Sequence, residues 1–164
     1  MVTVHEYLNT NYSDGDREYV DGIVVERNLG EKDHSKVQKR LTGWFLAREV
    51  SEGLISFPEQ RVQVKPSRFR IPDICVYFGS EPDDQVFHTP PFLEFKILSK
   101  DDRASEMLEK VDDYLTFGVR FVWVIDPRRK TAVVHTQDAA REVKDGFLRT
   151  HDPEIALPLS YLFE

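Results

Sequence analysis

The sequence predicts an α/β fold, a mixed sheet flanked by helices, with a hairpin near the N-terminus and further strands toward the C-terminus. Three observations predict it. Phe121-Val122-Trp123-Val124-Ile125 is apolar throughout, the mark of a strand buried on both faces as in a parallel pair. Ahead of it, Met107, Val111, Tyr114 and Leu115 recur at helical steps from Arg103 to Phe117, and Phe92 to Leu98 reads as a strand, so strand, helix and strand form a right-handed crossover. Asp21-Gly22 lies between the β-prone runs Arg17 to Val20 and Ile23 to Glu26, a strong signal for a two-residue hairpin.

The other elements follow in order. Thr3 to Leu8 reads as a short helix with Val4, Tyr7 and Leu8 at helical spacing. After the hairpin, Val37, Leu41, Trp44 and Phe45 stripe a helix from Glu31 to Val50, and His34 continues the stripe toward its N-terminal end. Gly53 stops that helix. Leu54 to Val64 is expected as one strand, with Val62 and Val64 inward and Arg61, Gln63 and Lys65 outward, and Pro66 to Arg70 as the turn into a strand from Ile71 to Phe78. Gly79 to Pro91, with three prolines and three acids, reads as a surface loop. Ser99 to Asp102 offers capping groups to the next helix, which Gly118 ends. Asp126 to Lys130 turns the chain into a strand from Thr131 to Thr136. A further hairpin is expected to turn at Asp145-Gly146, and Leu157 to Phe163 reads as a short packed tail.

At 164 residues, 40% hydrophobic and 12% aromatic, the chain suits one domain, residues 1–164, with one sizeable core. No apolar run approaches the roughly 18 residues of a membrane span, and no signal-peptide pattern follows Met1, so a cytoplasmic protein is expected. The single cysteine, Cys75, falls in a core strand and reads as a small buried apolar residue. A net charge of -7 counts against gripping DNA over a broad surface, where affinity comes from many lysine and arginine contacts to phosphate. Basic spots occur at Arg61, Lys65, Arg68 and Arg70 and at Arg128, Arg129 and Lys130, a pattern that solvated turns and strand faces also give. Five histidines and one cysteine show no zinc spacing, and there is no phosphate-binding glycine loop.

The stretch that carries chemistry runs from Ile71 to Ser99. Asp73 opens one strand, while Glu94 and Lys96 fall on one face of the next because side chains alternate along a strand. An acid from one strand beside an acid and an ammonium from another suits metal-assisted phosphodiester hydrolysis. Asp73 and Glu94 would hold a hard divalent cation, and Lys96 would position or activate water. Pro72-Asp73 followed by Glu94-x-Lys96 resembles the PD-(D/E)xK nuclease superfamily, although a proline opening a strand and a Glu-x-Lys pair on a wet strand face give the same letters.

A broader set of phrases resembles the Uma-type family of restriction-endonuclease-like proteins. These are Arg17-Glu18-Tyr19-Val20-Asp21-Gly22, His34, Ile71-Pro72-Asp73, Ile97-Leu98-Ser99, Lys110 before Tyr114, and Val122-Trp123-Val124-Ile125-Asp126-Pro127. The resemblance spans nearly the whole chain. It implies a restriction-endonuclease-like core, a divalent-metal site and nuclease activity. One departure stands out. Members of that family carry glutamate immediately before the Ile/Val-Leu-Ser phrase, where this chain has Lys96, and an apolar residue where it has Glu94. In their arrangement the lysine comes from the next helix, at the position of Lys110.

Two functions are therefore expected. In the first, the chain is a Mg²⁺- or Mn²⁺-dependent endodeoxyribonuclease. Asp73 and Glu94 are its metal ligands with the Phe95 carbonyl beside them, Lys96 is the catalytic lysine with Lys110 in reserve, and Glu18 and His34 are outer members. In the second, the same fold is a catalytically silent binding or assembly module. Glu94 and Lys96 then pair with each other, and the apolar strands serve a homo-oligomeric contact, most simply a dimer.

Overall fold

The computed structural model describes residues 1–12 and 16–164. Thr3 opens α1 (Val4–Leu8) with a capping box shared with Glu6. β1 (Arg17–Val20) and β2 (Ile23–Glu26) pair across Asp21 and Gly22, whose φ values of 50° and 96° are the left-handed pair a two-residue hairpin turn requires. α2 (Lys32–Leu46) and the short α3 (Glu49–Glu52) follow. Next come β3 (Leu54–Pro58), β4 (Val62–Lys65), β5 (Arg68–Arg70), β6 (Ile74–Phe78) and β7 (Leu93–Ile97). α4 (Ala104–Phe117) leads into β8 (Phe121–Asp126), β9 (Thr131–His135) and β10 (Ala140–Glu142). The chain ends on β11 (Phe147–Thr150), β12 (Ile155–Pro158) and α5 (Leu159–Leu162).

The main sheet has the order β10-β9-β8-β7-β6-β3 among the described residues, and within it β7 and β8 run parallel across the α4 crossover. All its other neighbours are antiparallel, so the sheet is mixed, as expected. Alternation along the strands splits the core. Ile74, Val76, Leu93, Phe95, Ile97, Trp123 and Ile125 face Val37, Leu41 and Phe45 of α2. Phe95 stands edge-on between Phe45 and Trp123, with ring centroids 5.5 and 5.0 Å away, each contact worth about 0.5–1.5 kcal/mol beyond its buried area. On the opposite face Cys75, Tyr77, Val122 and Val124 meet Val111 and Tyr114 of α4 and Val62 and Val64 of β4. A smaller sheet, β2-β1-β5-β4, carries the hairpin and packs Tyr19 and Phe69 against Tyr7 of α1.

Several expected boundaries shift for local reasons. Leu54 to Val64 is two strands in two sheets: Pro58 has no N–H to continue the ladder, and Glu59, at φ 49°, turns the chain. Arg68 to Arg70, expected as a turn, is a strand whose arginines find buried acids. Asp145-Gly146 connects β10 to β11, which lie in different sheets, so no hairpin turns there; the Asp145 carboxylate accepts the Phe147 N–H in a local turn that reads the same in sequence. Asp102 does not cap α4. The N-cap is Arg103, without a side-chain bond, and Asp102 is committed elsewhere. The helix begun at Glu31 ends at Leu46, and the one-turn α3 covers the rest of the expected span. Among the described residues no helix is long and apolar enough to cross a membrane.

Candidate active site

The ends of β6 and β7, the start of α2 and the segment after β2 enclose a cleft of about 330 Å³ lined by Arg27, His34, Asp73, Lys96 and Lys110. Asp73 is its buried carboxylate. It precedes β6 by one residue and is held by the ladder, its N–H donating to the Phe95 carbonyl at 3.2 Å while its Oδ2 accepts the Ile97 N–H at 2.7 Å. Its Oδ1 lies 3.2 Å from His34 Nε2 and 3.3 Å from Arg27 Nη2. Burial opposes ionisation, but the His34 hydrogen bond, Lys96 and Arg27 outweigh it, so the carboxyl titrates below its usual range. His34 is packed tightly: a Cβ built on Gly30 would come within 2.7 Å of its Nδ1, so any side chain there would force the ring or the segment to shift.

Lys96 reaches the cleft from β7 and pairs with Asp102 Oδ2 at 3.3 Å. Asp102 also accepts from the Ser99 N–H at 2.7 Å and from Asn28 Nδ2 at 2.9 Å. Against the cost of burial, Lys96 and these donors hold its carboxyl below the usual range. Lys110, one turn before Tyr114 on α4, reaches Glu18 Oε1 at 3.2 Å. Glu18 is buried behind the cleft, where its Oε2 accepts the Ile71 N–H at 2.7 Å and Arg70 Nη1 stands 3.3 Å from Oε1. Burial would raise its pKa; Lys110, Arg70 and the Ile71 N–H instead lower it.

Glu94 lies apart from this group. Strand register places it between Cys75 of β6 and Val122 of β8, on the α4 face, fully buried. It does not line the cleft, and neither carboxylate oxygen has a hydrogen-bond partner among the described residues. The Glu94–Lys96 pair expected for a silent module is therefore not formed. Burial, reinforced by the nearby Glu18 charge, pushes the Glu94 pKa well above its usual value. In turn, burial and Glu94 push the Cys75 thiol up.

Of the residues expected from sequence, Asp73, Lys96, Lys110 and His34 share the cleft, Glu18 supports it from behind, and Glu94 stands outside it. Arg27, Asn28 and Asp102 were missed. Asp102 reads in sequence as a helix cap, and nothing local distinguishes Arg27 from any arginine that follows a strand. The basic run before Asp73 has a structural use: Arg70 is buried against Asp113 and Glu18, and Arg68 bonds Asp113 and Asp21.

Restriction-endonuclease-like proteins generally work with divalent metal ions. The donors present do not fit such an ion. Asp73 is the carboxylate at the cleft's centre, its oxygens are occupied by Ile97, His34 and Arg27, and Lys96 places an ammonium beside them. Among the described residues no group of three or more His, Cys, Asp or Glu is placed to hold a metal ion.

Comparison with known proteins adds family and fold. A crystal structure titled as a "putative nuclease" belonging to DUF820 from Anabaena variabilis superposes with a TM-score of 0.85 over 99% of this chain and 98% of that one, at 20% identity. Among curated proteins none matches. The family model Uma2, described as "Putative restriction endonuclease", matches residues 4–161, and the chain belongs to that family.

Proposed function

We propose that the Asp73 cleft receives a DNA phosphodiester, and that this chain binds it without the two-carboxylate cation site that hydrolysis on this fold calls for. The position of Glu94 carries the reading. The acid that would complete a pair with Asp73 is sealed between β7 and α4, while Lys96, two residues on along the same strand face, stands at the cleft. Arg27, Lys96 and Lys110, with the imidazole of His34, supply donors for phosphate oxygens around Asp73, the one buried carboxylate of a cleft that Asp16 and Glu59 also line. Family membership supports a nucleic-acid ligand.

The test is fluorescence anisotropy on a short labelled duplex, run beside a plasmid-cleavage assay with Mg²⁺ or Mn²⁺. The parent is expected to bind and not to cut. Lys96→Ala and Lys110→Ala should each weaken binding across all sequences and lower the salt slope by about 1. Absence of binding would overturn the proposal. Metal-dependent cutting that disappears in Asp73→Asn would install instead the second reading, a Mg²⁺- or Mn²⁺-dependent endodeoxyribonuclease that uses Asp73, Glu94 and Lys96, with Lys110 in reserve. That reading is favoured by Asp73 and Lys96 facing one cleft, and it requires Glu94 to leave its apolar surroundings.

A swap separates the two directly. Lys96→Glu with Glu94→Leu puts a second carboxylate beside Asp73 and an apolar side chain in the core, the order typical of the family the chain resembles. Calorimetry should then record Mn²⁺ binding that the parent lacks. Equal Mn²⁺ heats from parent and swap would contradict the placement of Lys96 beside Asp73 and of Glu94 away from it. A single unit over residues 1–164, a cytoplasmic location suited to one buried thiol, and a homodimer on duplex DNA complete the proposal; light scattering tests the dimer.

A further inference from the structure

We propose that residues 27–31 form a strap latched across the cleft by side chains, and that the strap must lift before a ligand reaches Lys96 and Lys110. The inference rests on the reading of the cleft as a binding site. Between β2 and α2 the chain has no regular structure, and residues 27–30 make no main-chain hydrogen bond to the other described residues. What holds the strap is polar. Arg27 reaches Asp73 at 3.3 Å and Glu59 at 3.6 Å, Asn28 donates to Asp102 at 2.9 Å, and Glu31 meets Lys100 at 2.9 Å.

Among the described residues no apolar anchor assists these latches. Leu29, at the strap's centre, is 83% exposed although it borders the cleft. A segment that buries little apolar surface and hangs on side-chain bonds opens at a cost set by those bonds alone. The latches end on groups that matter to the cleft: Asp73 itself, and Asp102, the partner of Lys96. A phosphate admitted by the lifted strap competes with Asp73 for Arg27 and with Asp102 for Lys96, so the ligand holds the latches open once it has entered. Gly30 fixes the far end, because its lack of a side chain lets the strap lie on the His34 ring.

The test uses the whole chain without DNA. Lysine acetylation by a small amine-reactive ester is followed by peptide mass spectrometry, with exposed Lys39 on α2 as the internal reference. Asn28→Ala, and separately Glu31→Gln, remove one latch each at positions where the fold buries nothing. Asn28→Ala is expected to raise the labelling of Lys96 and Lys110 relative to Lys39 roughly tenfold, the population shift that follows loss of a hydrogen bond to a charged acceptor. Glu31→Gln should raise it less, its partner pair being solvent-exposed. The electronic effect of Asn28→Ala runs the other way, since Asp102 freed of Asn28 holds Lys96 more tightly. Unchanged ratios in both variants would overturn the strap. Raised ratios in a chain that fails to bind duplex sustain the strap and remove the ligand.

Discussion

Replacing Glu94 by leucine is expected to stabilise the fold, and by more at about pH 8 than at about pH 5. Two effects add. A buried carboxyl group with neither oxygen bonded carries a desolvation cost of about 1–3 kcal/mol even when neutral, and leucine among Cys75, Val122 and Tyr114 removes it. The second effect is proton linkage. Glu94 titrates well above its usual value in the folded chain, so above the unfolded value the folded state binds the extra proton. Stability tied to this group is complete below the unfolded pKa and falls by about 1.4 kcal/mol per pH unit as pH rises, until the folded pKa is passed. Asp73, Glu18 and Asp102 act in the opposite sense: their folded values are depressed, and the stability they contribute is lost as pH falls through those values. The difference between variant and parent isolates Glu94 from them. Urea unfolding at the two pH values measures it, and equal gains at both would mean that Glu94 is ionised in the folded state. Glu94→Gln should flatten the pH dependence while recovering little of the desolvation cost, because its amide is equally without a partner.

How much of this was legible beforehand depended on the range of the signal. The hairpin at Asp21-Gly22, the β7-α4-β8 crossover and the burial of Cys75 each rest on a local pattern, and each is found. That Glu94 and Lys96 leave one face of β7 was also readable, since alternation guarantees it. Alternation does not say how far along that face the cleft extends. Lys96 lies at the strand's end, where Asp73 and the strap open to solvent, whereas Glu94, two residues earlier, lies where α4 has closed over the sheet. That difference depends on the packing of α4, which no local pattern encodes. The same applies to Asp113, which reads as an acidic neighbour on the helix surface and is buried. Its partners come from β4 and β5 in the other sheet, more than forty residues away in sequence, so the pairing exists only in the folded arrangement.

Asp113→Ala should accordingly be the most damaging single change in the α4 helix, costing about 3–5 kcal/mol. Asp113 Oδ2 takes Arg70 Nε at 3.0 Å and Nη2 at 2.8 Å, and its Oδ1 takes Arg68 Nη1 at 2.8 Å with Lys65 at 3.5 Å. Arg68 and Lys65 retain access to water, but Arg70 is 3% exposed and would keep Glu18 and the half-exposed Glu109 as its remaining partners. Burial opposes the charge on Arg70, and Glu18 and Asp113 together hold its pKa above the ordinary value, so losing one of them leaves a buried guanidinium under-compensated. The damage should reach the cleft, because Glu18 is shared between Arg70 and Lys110 and the same helix carries Asp113 and Lys110. Urea unfolding gives the energetic cost, and the Lys110 labelling ratio reports the displacement. Asp113→Leu combined with Arg70→Met should recover much of the loss, since an apolar pair of similar size removes both charges at once. A double variant no more stable than Asp113→Ala would show that Arg70 is needed for Glu18 rather than for Asp113, and would move the hub of the network from the helix to the hairpin.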